Sequence, residues 1–294
     1  MWGMGDTVLR VGLVGAGPWA GAVHAPGIAA HSGTELTAVW ARRPEAAMEL
    51  GAPVVGGFDE LLSIVDAVAF AVPPAVQAGL AIKAAQAGKH LILEKPIAES
   101  VESAQKLVDA VEAAGVASVV VFIRRFAPET RAWLADIHSG TGWAGGNARW
   151  LSGALLGGQY SSSAWRHDGG ALADVGPHVF DLLDAALGPV DKVVAARLSE
   201  PDLWTVVLGH ESGATSTSTL SMLMPMRPTV TDISVYGDNG YRELNGRTTA
   251  PQDAFATLLD EFTTLVRDGR ADHPLSVRRG LAVQRLLAAV ANEV

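Results

Sequence analysis

The chain has 294 residues, 49% of them apolar and 18% charged, with a formal net charge of −9 and no cysteine. That composition is globular and sufficient for one large or two ordinary domains, while the acidic balance argues against nucleic-acid binding. Without cysteine there are no disulfides, thiolate metal sites or cysteine nucleophile.

The opening Met1-Trp2-Gly3-Met4-Gly5-Asp6 has no basic stretch followed by an apolar core, so no secretory signal is read there. No apolar run approaches the roughly 20 residues of a membrane span. A cytoplasmic protein with no membrane or nucleic-acid partner is expected.

Residues 9–14 read as a buried strand and residues 18–31 as a helix with Pro18 early in it, where its missing N–H costs nothing. A strand over 35–40, a short helix over 44–50 and a strand over 66–72 follow, the last stopped by Pro73-Pro74. An alanine-rich helix over 75–87, strand 90–93, helix 99–114 and strand 117–122 complete the alternation. Short apolar strands alternating with helices predict a parallel sheet covered on both faces, a doubly wound domain over 1–123. The pattern then changes. Residues 124–294 carry a helix over 127–138, a segment over 147–156 and a helix over 171–187 ended by Gly188-Pro189. Strands over 191–199, 202–209, 213–222 and 229–236 follow, with a hairpin turn at Asp238-Asn239-Gly240. Helices over 252–267 and 277–292 close the chain, the last placed to pack back on the first domain. The second domain is therefore α+β, built on an open, mostly antiparallel sheet.

Gly15-x-Gly17-x-x-Ala20 lies between the first strand and the first helix, where a dinucleotide fingerprint belongs. Gly15 permits the tight turn, Gly17 lets backbone approach the pyrophosphate, and Ala20 keeps helix and strand close. Pro18 and Trp19 fill the variable positions. The helix N-terminus offers free N–H groups and a favourable dipole to phosphate. The second strand ends Trp40-Ala41-Arg42-Arg43, with no carboxylate for a ribose 2′-hydroxyl. Arg42 and Arg43 suit a 2′-phosphate instead, which favours NADP(H) over NAD(H); a pair of solvated arginines is the alternative. Pro73 and Glu94, at the ends of the third and fourth strands, join the cofactor candidates.

Lys95 follows strand 90–93 and so sits at a carboxyl end, where open α/β sheets bind ligands. A lysine there can donate to a substrate oxygen and favour negative charge on it. Pro96 restrains its backbone and admits a cis bond. Asp174, His178 and Asp181, spaced i, i+4, i+7, share one face if the segment is helical. Their neighbours are apolar, and ionisable groups on a buried helix need a reason. His178 suits proton transfer near neutrality, and Asp174 can orient it or a substrate hydroxyl. No third metal ligand is evident, and no metal is expected. Pro177 implies that the regular helix begins near it.

Taken together, the Gly-rich turn, Glu94-Lys95-Pro96, Arg125-Phe126-x-Pro128, Trp165-Arg166 and the run from Gly169 through Asp174, Gly176 and His178 to Asp181 resemble the Gfo/Idh/MocA oxidoreductases. The resemblance covers almost the whole chain. It implies a Rossmann domain, a C-terminal sheet that often packs against another subunit to give a homodimer or homotetramer, and an active site in which Lys95, Asp174 and His178 serve the alcohol or carbonyl. It implies a small polyol or keto-sugar substrate. Gln159, Arg125, Tyr160, Trp165, Arg166 and His167 are candidate pocket residues beside Asp174 and His178, with Trp165 suited to stacking on a sugar face. Arg166 is equally suited to a structural ion pair. The expected protein is an NADP(H)-dependent dehydrogenase or reductase acting on CH–OH groups. A non-catalytic cofactor-binding sensor on the same fold is the alternative, and it would have no use for the Lys95, Asp174, His178 set.

Overall fold

The computed structural model describes residues 8–294. They group into two compact units, residues up to Ile123 together with Pro251–Leu281, and Arg124–Ala250 together with Ala282–Val294. Sequence alone runs the second domain from 124 to 294; in the structure residues 251–281 group with the first unit.

In the first unit, β1 (Leu9–Val14), β2 (Thr34–Trp40), β3 (Ala67–Phe70), β4 (His90–Leu93) and β5 (Ser118–Val120) form a parallel five-stranded sheet in the order β2-β1-β3-β4-β5. All of β3 and most of β1 and β4 are buried, as a sheet covered on both faces requires. The order reverses at β1, so the segments leaving β1 and β3 flank the switch point where such sheets bind ligands. A π-helical turn, Ala20–His24, runs into α1 (Ala25–Ala30). Then come α2 (Pro44–Ala47), α3 (Phe58–Ile64), α4 (Pro74–Gln86) and α5 (Val101–Ala114). The short α3, which buries Phe58, Leu61 and Leu62, is absent from the sequence expectation. Helix α5 has clear ends: Ser100 Oγ accepts the Ser103 N–H at 3.1 Å, and Gly115 closes it at φ 64°.

In the second unit, α6 (Pro128–His138) precedes β6 (Trp143–Leu151), and α7 (Ala164–Asp174) and α8 (Gly176–Leu187) precede β7 (Val190–Ser199), β8 (Leu203–His210), β9 (Thr215–Ser221), β10 (Val230–Gly237) and β11 (Gly240–Asn245). The six strands pair in the order β11-β10-β6-β9-β8-β7, with only β6 and β9 parallel. Strand alternation gives the sheet two faces. Ala148, Val206, Leu208, Leu220, Ile233 and Val235 are buried on one, against which α8 packs. The other carries Asn147, Arg149 and Asp232, with Asn147 accepting a hydrogen bond from Thr217 at 2.6 Å. Gly237 pairs with Gly240, leaving Asp238-Asn239 as a two-residue hairpin turn. Strand β11 itself went unrecognised in the sequence. Helices α9 (Pro251–Arg267) and α10 (Val277–Ala291) end the chain. Residues of the 251–281 stretch complete the first unit: the Leu275 carbonyl accepts the Val120 N–H at 2.8 Å, and the Phe255 and His24 rings lie 4.8 Å apart.

The single helix expected over 171–187 is two helices. The chain breaks between α7 and α8 at Val175, and Pro177 occupies the first turn of α8, where proline is tolerated. Inside α7, Gly170 has φ 57° and ψ −156°, a conformation reserved for glycine. A Cβ there would lie 2.4 Å from Asp202 Oδ1. Asp202 accepts the Ala171 N–H at 2.8 Å and the Trp204 indole N–H at 3.2 Å. Burial pushes its carboxyl above the usual range, and these bonds partly offset that. Gly170→Ala therefore introduces both backbone strain, roughly 1–3 kcal/mol, and a collision with Asp202. A lowered thermal midpoint with a cooperative transition is the expected result; an unchanged midpoint would contradict this account of the kink.

Candidate active site

The turn after β1 is shaped by its packing. Gly15, at φ 111°, donates its N–H to the Trp40 carbonyl at 2.9 Å, and a Cβ on it would lie 2.4 Å from the Ala71 carbonyl oxygen. Over Gly17 the space is open, with nothing within 4 Å of where a Cβ would be. Trp19 has helical dihedrals, φ −72° and ψ −35°, and Ala20 is fully buried. A tight turn, open room above a glycine and a helix leading away fit a dinucleotide pyrophosphate. Beyond β2, Arg42 and Arg43 are exposed, and neither guanidinium enters a hydrogen bond or ion pair among the described residues.

Glu94 and Lys95 follow directly on β4. Glu94 Oε1 accepts hydrogen bonds from the Trp19 indole N–H at 2.7 Å and from His24 Nε2 at 2.9 Å. The carboxylate is thus tied to the helix that follows the Gly-rich turn. Its Oε2 lies 3.3 Å from the Lys95 backbone N–H. Lys95 is half-buried and its bond to Pro96 is cis. On α4, Gln77 is fully buried and bonded to the backbone of Glu94 and Ile97. Pro73 is the residue preceding α4.

Lys95 belongs to the first unit, Asp174 and His178 to the second. Asp174 closes α7 while His178 and Asp181 lie on α8, the two helices being separated at Val175. Asp174 and His178 are each only 8% exposed. The His178 ring stacks on Trp150 of β6, centroids 5.8 Å apart and planes 17° from parallel. Asp174 Oδ2 accepts the Arg166 Nε–H at 3.0 Å. The Arg166 guanidinium lies over both the Tyr160 and Trp165 rings, at 4.4 and 4.5 Å. One face of each aromatic is therefore occupied by arginine. His167 is exposed and bonded to the Ser161 carbonyl at 2.7 Å, and Gln159 is exposed. Arg125, named above as a pocket residue, is engaged elsewhere: its Nη1 donates to both carboxylate oxygens of the buried Asp181, at 3.2 and 3.0 Å.

Arg124, unremarked in the sequence, is buried with its guanidinium over Trp150 at 5.8 Å and its Nη2 donating to the Gly246 carbonyl at 2.5 Å. Burial, and then the nearby Arg247 charge, push its pKa down to about 10. Close by in sequence, Glu129 accepts the N–H groups of Thr248 and Thr249, each at 3.1 Å, together with the Thr249 hydroxyl. Desolvation opposes its ionisation, but these donors prevail and hold it at about 2. Among the described residues no group of three or more His, Asp or Glu side chains is placed to hold a metal ion, and no helix is long and apolar enough to cross a membrane. Gln77, His24, Trp150 and Arg124 are the contributors that sequence reasoning missed. The one signal available was polarity out of place, a glutamine and a histidine among small apolar residues.

The chain thus combines a parallel sheet with a glycine turn at its switch point, a mixed sheet, and a buried Asp174 on α7 and His178 on α8. The chain belongs to the Gfo/Idh/MocA oxidoreductase family: residues 9–122 match its "Oxidoreductase family, NAD-binding Rossmann fold" description and residues 101–243 its "GFO/IDH/MocA C-terminal domain". It is 32% identical over 213 residues to dTDP-3,4-didehydro-2,6-dideoxy-alpha-D-glucose 3-reductase of Streptomyces violaceoruber, covering 68% of this chain and 61% of that one. It is 36% identical over 146 residues to inositol 2-dehydrogenase 4 of Saccharopolyspora erythraea, covering 47% of this chain and 43% of the relative. The match thus spans less than two thirds of either relative. The crystal structure of the WlbA dehydrogenase from Bordetella pertussis in complex with NADH and UDP-GlcNAcA superposes with a TM-score of 0.83 at 26% identity, over 97% of this chain and 96% of that one.

The Arg125–Asp181 pair makes a structural test. Removing one partner of a buried ion pair costs roughly 3–5 kcal/mol. Arg125→Met is expected to lower the unfolding free energy obtained from urea titration by an amount in that range, and Arg125→Met with Asp181→Leu to recover part of it. A single variant as stable as the parent would refute the pairing.

Proposed function

We propose that the protein is an NADP(H)-dependent oxidoreductase that interconverts a secondary alcohol and a ketone, or an alcohol and an aldehyde, on a sugar, cyclitol or related polyhydroxylated small molecule. The observation that carries this reading is the joint presence, in one member of this family, of a glycine turn open above Gly17, a half-buried Lys95 and a buried Asp174 and His178. The nicotinamide, when bound, accepts or supplies the hydride. Lys95 donates to the substrate oxygen and stabilises the negative charge that develops on it. In the oxidative direction His178 accepts the hydroxyl proton at a ring nitrogen. Its contact with Trp150 limits the orientations the ring can take. Asp174 orients the substrate and supports His178, with Arg166 holding its carboxylate in place.

For the cofactor, the support is local to β2. Two exposed arginines follow the strand and no carboxylate ends it, which suits a 2′-phosphate better than a 2′-hydroxyl. The NADH in the WlbA structure belongs to that protein. For assembly, we infer that the open face of the six-stranded sheet, where Tyr236 and Tyr241 are exposed on paired positions, receives a second copy of the chain.

Lys95→Met and His178→Ala are expected to lower turnover by about 100-fold or more while cofactor affinity changes little. Parallel loss of cofactor binding would contradict these roles. Tryptophan-fluorescence titration should show tighter binding of NADPH than of NADH. Replacing Arg42 and Arg43 together by alanine should weaken NADPH binding by about tenfold, or about 1.4 kcal/mol, and leave NADH unaffected. Equal affinity for both cofactors in the parent protein would overturn the NADP(H) preference and leave the dehydrogenase reading standing.

A further inference from the structure

Backbone groups just beyond a strand end lose their ladder partners and must find others. β4 ends at Leu93, whose carbonyl still receives the Val121 N–H at 2.8 Å. From Glu94 onward the ladder gives out. The groups on both sides of Lys95 are met instead by one side chain of α4. Gln77 Oε1 accepts the Glu94 N–H at 2.8 Å; its Nε2 donates to the Glu94 carbonyl at 2.7 Å and to the Ile97 carbonyl at 3.1 Å, with the Pro96 carbonyl at 3.4 Å. The carboxamide is fully buried, on a helix stripe otherwise made of Ala78, Ala81, Ala84 and Ala85. A lone polar side chain on such a stripe is retained only if its bonds are all made. These bonds grip the chain one residue before Lys95 and two residues after it.

We propose that Gln77 is a positioning residue for Lys95: its carboxamide clamps the backbone on either side of the lysine and fixes the direction from which the ammonium group meets the substrate. This rests on the role given to Lys95 above. A lysine reaches its target through a flexible four-carbon stem, so its aim depends on how firmly its Cα is held. A misplacement of about 1 Å can cost roughly 100-fold in rate. Gln77 touches neither substrate nor cofactor in this reading and acts only through Lys95.

The test uses the full chain with Gln77→Met, which keeps the volume and removes the bonds, and Gln77→Glu, which keeps an acceptor for the Glu94 N–H but faces the carbonyls with oxygen. The first readout needs no substrate. Trinitrobenzenesulfonate labelling, followed residue by residue by peptide mass spectrometry, should accelerate severalfold at Lys95 in both variants and stay unchanged at the other lysines. The second is a double-mutant cycle on NADP+ reduction with myo-inositol and a panel of related polyols. Each Gln77 variant should lose about 100-fold in kcat with little change in KM, and Gln77→Met should cost nothing further when added to Lys95→Met. An unchanged Lys95 labelling rate, acceleration at all lysines together, losses that multiply in the cycle, or failure of both variants to fold would each overturn the proposal and leave Gln77 a purely structural residue. Full turnover by Lys95→Met would instead overturn the role of Lys95. If the parent protein reduces NADP+ with none of the polyols, the labelling alone decides the role of Gln77.

Discussion

One carboxylate joins the two chemical ends of the first unit. Glu94 receives the Trp19 indole and the His24 ring on one oxygen, and the N–H of Lys95 approaches the other. Its side chain is only 14% exposed, and a carboxylate so placed has to be compensated by directed donors. The donors come from the helix that follows the glycine turn, and Lys95 follows Glu94 in the chain. The spacing between the glycine turn and the lysine is thus set by hydrogen bonds, with Gln77 restraining the same stretch of backbone from α4. Hydrogen bonds to a charged acceptor are short and directional, which suits a site where position matters more than bulk stability.

The second unit meets its buried carboxylates with arginines. Asp174 is matched by Arg166, close in sequence, and Asp181 by Arg125, far from it in sequence. Arg166 is further packed between two aromatic rings, so that its charge is held in one orientation. Arg124 is the exception. Buried over Trp150 and bonded to a backbone carbonyl, it keeps its charge at the cost of a depressed pKa.

The parallel half was legible because its physics is local. Apolar runs of strand length, prolines at the stops and glycines at the first turn all point the same way. The fold of the mixed half was legible in outline, down to the hairpin at Asp238-Asn239. What sequence did not disclose were long-range partnerships. Nothing in the spacing of Arg125 and Asp181 announces that they meet, and nothing near Gln77 reveals the backbone it holds. The expectation of one helix through Asp174 and His178 followed the period of the apolar residues. It gave Pro177 its due but not the separation at Val175, and it could not show that Gly170, just before that stretch, packs against Asp202, more than thirty positions away. Helix α3 and strand β11 escaped because each is short and lacks a strong period of its own.

The division of the chain has a consequence for its biosynthesis. The first unit includes residues 251–281, among them Phe255 beside His24 and Leu275, whose carbonyl pairs with the edge strand β5 at Val120. A ribosome that has released only the first 123 residues has made the sheet but not the helix and carbonyl that finish it. The second unit, in turn, includes residues 282–294. The first unit is complete only once residue 281 has been made, so it must wait, partly uncovered, while residues 124–250 of the second are translated. The exposed intermediate is the stage at which a chaperone has most to shield.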